Sequence, residues 1–142
     1  MEIKQISVFV ENKVGNLAEV AKVMSEAGIS LHAISLADTR DFGVLRLLVD
    51  DTYNAVNVLR DKGFIFALTP VIAVSTTDEP GSLCEILNIF DEADINLEYL
   101  YDVNTGKKGE VYIIFKVGNI ELATDILKKK GVKLLTQEDF KE

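Results

Sequence analysis

The sequence predicts an α+β protein built from two similar halves, each a β-α-β-β-α-β sandwich with an antiparallel sheet. Two observations support this prediction. Residues 6–50 align without a gap with residues 72–116, and eleven of these 45 positions are identical. In both halves, segments of alternating apolar residues are interleaved with segments whose apolar residues recur at helical spacing. We therefore expect domains over residues 1–70 and 71–142, packed as a pseudo-dimer within one chain.

The first strand and first helix of each half follow from a change of period. Ile6, Val8 and Val10 alternate with other residues, as do Ile72 and Val74, which predicts a strand with one buried face. Next comes an apolar stripe at positions i, i+3, i+4 and i+7, typical of a helix packed on a sheet. The stripe consists of Leu17, Val20, Ala21 and Met24 in the first half and Leu83, Ile86, Leu87 and Phe90 in the second.

The middle of each half predicts two further strands separated by a turn. Residues 29–36 and 95–103 have strand-like composition. Residues 44–49 and 111–117 are continuous apolar runs, typical of a covered central strand. A two-residue slip of the alignment near Val117 brings the last parts of the halves into register.

A second helix and a last strand complete each half. The helix begins at Asp51 or Asn119, both favoured N-cap residues. It ends before Gly63 or Gly131, which suit the left-handed position after a helix. This element order is that of a ferredoxin-like sandwich. The second stripe is Val56 and Leu59 in one half and Leu122, Ile126 and Leu127 in the other, and the last strands cover residues 64–68 and 132–135.

Two segments are predicted to lie outside these elements. Thr69 and Pro70 alone separate the last strand of the first half from the first strand of the second. The polar residues 137–142 are expected to fray, as chain ends without anchoring contacts do.

Composition argues against several classes of function. One cysteine, Cys84, and one histidine, His32, leave no disulfide framework and no thiolate or imidazole metal site, so we expect no metal and no cofactor. We expect Cys84 to fill apolar space on its helix. A net charge of −8 argues against nucleic acid, and the longest apolar run, residues 64–74, is too short to span a membrane. Without a nucleophile–base pair we expect no enzyme activity. We also expect a cytoplasmic location.

The loop between the first strand and the first helix is the candidate binding site. Gly15 and Gly81 lack a Cβ atom, so the backbone can approach a ligand, and the helix that follows directs unpaired N–H groups at a carboxylate. Asn12 and Asp78 lie upstream, where a side-chain oxygen can accept from an ammonium group. An amino acid carries both charges. Two alternatives stay open: the glycines serve only a turn, and Asn12 and Asp78 serve only as caps or Asx turns.

These loops carry a family resemblance. Residues 12–17 read Asn-Lys-Val-Gly-Asn-Leu, and residues 78–83 read Asp-Glu-Pro-Gly-Ser-Leu. With the helix-to-strand junctions at residues 26–31 and 92–97, they resemble the ACT domain, a ligand-binding module of regulators of amino-acid metabolism. The resemblance covers nearly the whole chain, twice.

The resemblance also implies a set of site residues. In the family, a polar residue at the start of the second strand often completes the site, and the matching residues are Ser30 and Asn96. The expected ligand-binding residues are Asn12, Val14, Gly15, Asn16, Leu17, Ser30, Leu31, Asp78, Pro80, Gly81, Ser82, Leu83, Asn96 and Leu97.

The function that the resemblance implies is regulatory. We expect a stand-alone tandem ACT protein that binds a small L-amino acid at the domain interface and acts as an allosteric sensor. A homodimer and a regulated partner protein are implied as well. A structural dimerisation module with vestigial ligand sites is the alternative, and an enzyme of the same fold ranks below both.

Overall fold

The computed structural model describes residues 3–11, 13–38, 42–105 and 107–141, which divide into two compact units. The N-terminal unit comprises Lys4–Thr69, joined by Phe140 and Lys141. The C-terminal unit comprises Pro70–Asp139, joined by Ile3. Both units follow the order β-α-β-β-α-β, which confirms the predicted fold class.

The N-terminal unit is a sheet with two helices. Its elements are β1 (Ile3–Glu11), α1 (Asn16–Glu26), β2 (Leu31–Asp38), β3 (Phe42–Val49), α2 (Thr52–Asp61) and the first part of β4 (Ile65–Thr77). The strand order is β2-β3-β1-β4. Because β1 and β2 both pair antiparallel with β3, they run parallel to each other, and their C-terminal ends lie at the same end of the sheet.

The core of this unit lies between the sheet and the helices. The alternating residues of β1 are buried, as predicted. The buried residues of α1 are Val20, Val23 and Met24, so the predicted stripe is wrong at Leu17 and Ala21, which are exposed. The helix is rotated so that these two residues line a groove toward β2 instead of the core.

The C-terminal unit repeats this arrangement. Its elements are the second part of β4, α3 (Ser82–Glu92), β5 (Leu97–Asn104), β6 (Glu110–Val117), α4 (Ile120–Lys129) and β7 (Lys133–Leu134), followed by a 3-10 helix over Gln137–Phe140. β6 pairs antiparallel with β4 and β5, and β7 pairs with β4. In its core, Phe90 meets Phe115 edge-on with ring centroids 5.2 Å apart.

The predicted stripe of α4 is wrong at Leu122, which is 42% exposed. Ala123 and Leu127 are fully buried and define the line of contact with the sheet. Leu122 lies one residue before Ala123, about 100° around the helix, and therefore points away from the core.

β4 runs through the predicted boundary between the halves. Thr69 and Pro70 were expected to separate two strands, but Ile65–Thr77 is one strand of 13 residues, so that expectation is wrong. Proline has a φ compatible with a strand and lacks only the N–H donor, so a strand tolerates it where no ladder bond needs that donor. The two units divide inside this strand, between Thr69 and Pro70.

The strand registers place the length difference between the halves in an earlier turn than predicted. Val8 pairs with Leu45, and its counterpart Val74 pairs with Ile113, so β3 and β6 correspond at an offset of 68 residues. β2 and β5 correspond at an offset of 66 residues. The two extra residues therefore lie in the turn before β6, and the slip predicted near residue 117 is wrong.

The C-terminal segment is anchored, and the prediction of a fraying tail is wrong. In the 3-10 helix, Asp139 accepts hydrogen bonds from the Thr136 backbone N–H at 2.7 Å and from its hydroxyl at 3.3 Å. Phe140 is 3% exposed, and its ring centroid lies 6.2 Å from that of His32. Burial of one aromatic side chain supplies the anchoring contact that the polar composition concealed.

Candidate functional site

The loop before the first helix of each unit lies where two strands end side by side. In the N-terminal unit, Val10 and Asp38 both pair with Gly43, so the ends of β1 and β2 flank the start of β3. α1 begins at this same end of the sheet. In the C-terminal unit, Val111 of β6 has the equivalent central place between β4 and β5. In each unit, a loop, a helix N-terminus and two strand ends thus lie together at one end of the sheet.

The helices that begin at these loops lack side-chain caps. Gly15 and Gly81 are the N-cap residues of α1 and α3, with φ of 90° and 94°, and no side chain of the described residues caps either helix. By contrast, the side chains of Asp51 and Asn119 each accept a first-turn N–H at 3.1 Å in α2 and α4. The N–H groups of Asn16 and Ser82 donate to the carbonyls of Lys13 and Glu79 at 3.3 and 3.2 Å. The next two N–H groups of each helix have no acceptor among the described residues, and the helix dipole favours a negatively charged one there.

A cavity of about 260 Å³ adjoins the loop of the N-terminal unit. Asn16 closes this loop, because its Nδ2 donates to the Glu11 carbonyl oxygen at 2.8 Å. Asn12, which was expected to bind an ammonium group, lies outside the described residues. Four expected residues line the cavity, Val14, Gly15, Asn16 and Leu17, together with Leu36 and Gly43 from the strands.

One ion pair sets the charge of this cavity. The Lys13 ammonium lies 2.7 Å from the Glu11 carboxylate, and both side chains are largely exposed. The hydrogen bond and charge of Lys13 lower the pKa of Glu11, and those of Glu11 raise the pKa of Lys13. The cavity thus presents a cation and an anion side by side to solvent.

A cavity of about 440 Å³ adjoins the loop of the C-terminal unit. Ser82 closes this loop, because its hydroxyl lies 2.6 Å from the Thr77 hydroxyl. Of the expected residues, Asp78, Ser82 and Leu83 line the cavity, whereas Pro80 and Gly81 lie in the loop but not on its wall.

The C-terminal cavity is acidic. Its described lining includes the carboxylates of Asp78, Glu79 and Asp102 and no lysine or arginine. At the corresponding loop position, the N-terminal unit has Lys13 in place of Glu79. A carboxylate ligand therefore meets less repulsion in the N-terminal unit.

The expected residues of the second strands lie at the opposite end of each first helix. Ser30 is fixed there, because its backbone N–H donates to the Asp50 carboxylate at 3.0 Å and its carbonyl accepts from the Asp50 N–H at 3.2 Å. The Asn96 carbonyl likewise accepts from Gly118 N–H at 2.9 Å. An 11-residue helix such as α1 is about 16 Å long, so neither residue joins the loop of its own unit. Leu31 and Leu97, one residue later, begin β2 and β5 at this same end.

The expected site residues did not include those at the far ends of the second strands, although Tyr101 could be recognised from the sequence as a candidate pocket residue. Leu36 lines the N-terminal cavity, and Leu100, Tyr101 and Asp102 line the C-terminal one. The parallel direction of the first and second strands in a split β-α-β unit is the signal that could have found them. It brings the end of the second strand, not its start, to the loop.

The other chemically reactive side chains lie outside these cavities. Cys84 is exposed, so the expectation that it fills apolar space is wrong. Within the described ranges, no group of three or more His, Cys, Asp or Glu residues is arranged to hold a metal ion. No described helix combines the length and apolar character needed to cross a membrane.

The repeated units define a tandem of ferredoxin-like domains with open helix N-termini. The family model described as an ACT domain pair matches residues 1–142, so the chain belongs to the ACT domain family, as the sequence motifs predicted. A pair of ACT domains is a regulatory module and is typically non-catalytic.

Solved structures share this architecture. Protein BT0572 from Bacteroides thetaiotaomicron is 33% identical, with a TM-score of 0.93 over 99% of this chain and 96% of that chain. The regulatory subunit of aspartate kinase from Thermus thermophilus, in its ligand-free form, is 16% identical, with a TM-score of 0.62 over 89% of this chain and 90% of that chain. The latter likeness establishes the fold alone. No curated protein matches the chain.

Proposed function

We propose that this protein is an amino-acid sensor that binds a small L-amino acid at the loops before α1 and α3. The observation that carries the proposal is the contrast between helices. α2 and α4 have side-chain caps, whereas α1 and α3 begin beside a cavity and have no cap from a side chain in the described part of the chain. A ligand carboxylate supplies the missing acceptor at such a helix end.

The neighbouring oxygens suit the ammonium group of the same ligand. In the C-terminal unit, the Asp78 carboxylate and the Thr77 and Ser82 hydroxyls surround the start of α3. In the N-terminal unit, the Glu11 carboxylate has this place, and Lys13 adds a second contact for the carboxylate. The ligand would act on a partner protein or on another subunit by favouring the conformation that binds it.

The test is thermal unfolding in the presence of each of the twenty amino acids. A ligand at a hundred times its Kd adds about 2.7 kcal/mol to the free energy of unfolding. We expect Gly15→Asp and Gly81→Asp to reduce the stabilisation, because each places a carboxylate where the ligand carboxylate docks. Since both glycines have positive φ, each substitution also strains the backbone.

Matched controls separate strain from binding. Gly28→Asp and Gly131→Asp add the same charge at glycines with φ of 71° and 77°, away from the loops. Gly28→Asp also copies Asp94, which stands at the corresponding position with φ of 55°. The controls should lose stability but keep the full ligand response. The proposal would be contradicted if none of the twenty amino acids stabilised the protein. It would also be contradicted if the control variants lost as much of the ligand-induced stabilisation as the loop variants.

A structural dimerisation module is the second candidate, and one surface favours it. β2 is an edge strand, and a groove of about 310 Å³ lies between it and α1, with a described lining of leucine, isoleucine, valine and alanine. Ile34 in this groove is 60% exposed. If the groove binds a second copy, Ile34→Lys should dissociate a dimer in sedimentation equilibrium, and Leu122→Lys on α4 should not.

A further inference from the structure

A second cavity adjoins the N-terminal loop at the same end of the sheet and is rich in aromatic side chains. It has a volume of about 420 Å³, within the range of small-molecule sites. Phe9 lies on the face opposite the helices, because it alternates with the core residues Val8 and Val10. Phe42 lies on the same face, paired across the ladder with Glu11. The turn after α2 closes the cavity with Gly63, Phe64 and Ile65.

The exposure of these apolar side chains requires an explanation. Phe9 is 43% exposed, Phe42 57% and Ile65 71%. Single exposed apolar residues are ordinary, but a contiguous group of large ones around a concavity marks a binding surface.

The C-terminal unit provides an internal control for this group. Ser75 and Glu110 stand at the positions that correspond to Phe9 and Phe42, and the Ser75 hydroxyl donates to the Glu110 carboxylate at 3.0 Å. Lys133 stands in place of Ile65. The same fold is therefore built with polar residues at this location, and the aromatic group of the N-terminal unit is not a requirement of the fold.

We propose that this cavity binds an amino acid with an aromatic side chain. The ligand ring packs against Phe9 and Phe42, since aromatic pairs at offset or edge-on geometry gain energy beyond their buried area. The ligand carboxylate meets the Lys13 ammonium, and the ligand ammonium meets the Glu11 carboxylate. That ion pair lines the cavity, and its side chains are 72% and 58% exposed, so both charges remain accessible.

The proposed site shares the Glu11–Lys13 ion pair with the N-terminal loop cavity, so this part of the inference rests on the proposed function. It differs in the residues that contact the ligand side chain, Phe9 and Phe42, and neither Gly15 nor Gly81 lines it. Variants of Phe9 and Phe42 therefore test this site, whereas variants of Gly15 and Gly81 test the loop sites.

The test is calorimetric titration of the whole chain with L-phenylalanine. Three probes dissect the recognition: phenethylamine lacks the carboxylate, 3-phenylpropionate lacks the ammonium group, and L-alanine lacks the ring. We expect L-phenylalanine to bind, and each of the three probes to bind at least about tenfold more weakly, which corresponds to 1.4 kcal/mol.

Variants locate the binding. Phe9→Ser and Phe42→Ser should each weaken L-phenylalanine binding by about threefold to tenfold, the range of one lost aromatic pair. Tyr53→Ser is the matched control, because Tyr53 is an aromatic residue on α2 that is 78% exposed and outside the cavity. The control should bind as the unmodified chain does.

Three results would overturn the proposal. The first is no binding of L-phenylalanine, or equal binding of L-alanine, by the unmodified chain. The second is unchanged binding in Phe9→Ser and Phe42→Ser with loss in Gly15→Asp, which would place the ligand at the loop. The third is a change in sedimentation of the serine variants without a change in ligand affinity, which would make the aromatic surface a protein interface.

Discussion

The two glycines that line the N-terminal loop cavity predict opposite outcomes for the same substitution. Gly15 has φ of 90°, and a Cβ atom added there meets nothing within 4 Å. Gly43 has no positive φ, but its added Cβ would lie 3.0 Å from Leu36 Cδ1 and 3.4 Å from Val10 Cγ2. Open space favours alanine at Gly15 and crowding disfavours it at Gly43, whereas backbone conformation argues the reverse.

We expect backbone conformation to dominate. An L-residue in the left-handed region costs about 1–2 kcal/mol, so Gly15→Ala should lower the free energy of unfolding by that amount. In a domain of this size each kcal/mol lowers Tm by about 4–8 °C. At Gly43, Leu36 is 48% exposed and its terminal methyl can rotate away. Alanine also removes the cost of glycine in a strand, about 0.5–1 kcal/mol, so Gly43→Ala should change stability by less than about 1 kcal/mol.

Urea unfolding followed by circular dichroism measures both effects. Gly15→Asn should lose less than Gly15→Ala, because asparagine accepts the left-handed region more readily. Leu36→Ala should cancel any cost of Gly43→Ala and leave that of Gly15→Ala unchanged. If Gly43→Ala proves the more damaging substitution, the ranking of strain above contact is refuted.

Three further predictions concern single side chains. Phe90→Ala should lower the free energy of unfolding in urea by about 3–5 kcal/mol. Phe90→Met should lower it by less than about 3 kcal/mol, because methionine loses only the edge contact with Phe115 and some packing. Equal losses in the two variants would contradict this prediction. Burial, with the nearby Glu110 carboxylate, raises the pKa of Tyr112 above its ordinary 10.0. The stability that the neutral Tyr112 side chain contributes to the fold is therefore complete below pH 10, and it is lost as the pH rises through the pKa of Tyr112 in the folded protein. Tyr112→Phe should therefore flatten the fall of stability above pH 10, and an unchanged slope would exclude this group as its source. Asn119→Ala should cost about 1 kcal/mol through loss of the α4 cap, and Asn119→Asp almost nothing, in the same unfolding assay.

Periodicity and the residues that begin and end helices predicted the elements because both are local properties. The caps at Asp51 and Asn119 and the glycines at residues 63 and 131 all stand where predicted, with the glycines at φ of 80° and 77°. These positions depend on backbone hydrogen bonds within a few residues. The chain therefore specifies them without reference to its partners in the fold.

The alignment of the third strands was wrong for a physical reason. Side chains in a strand alternate with a period of two residues, so a two-residue shift leaves every apolar residue on the same face. The identity of Gly43 with Gly109 favoured the wrong offset, yet Gly43 lies inside β3 and Gly109 lies in a turn with φ of 81°. Only the paired registers distinguish the two alignments.

The candidate site divides in the same way. The sequence by itself determined the repeat, the family, the loops and the glycines that begin α1 and α3. Each of these can be recognised from the order of residues along the chain. Only the tertiary structure decided that Leu36 and Asp102 join those loops while Ser30 and Asn96 lie at the far helix ends. It also gathered the aromatic cavity from three separate elements. Neighbours across a sheet are set by strand direction and register, and residues distant along the chain carry no local signal of either.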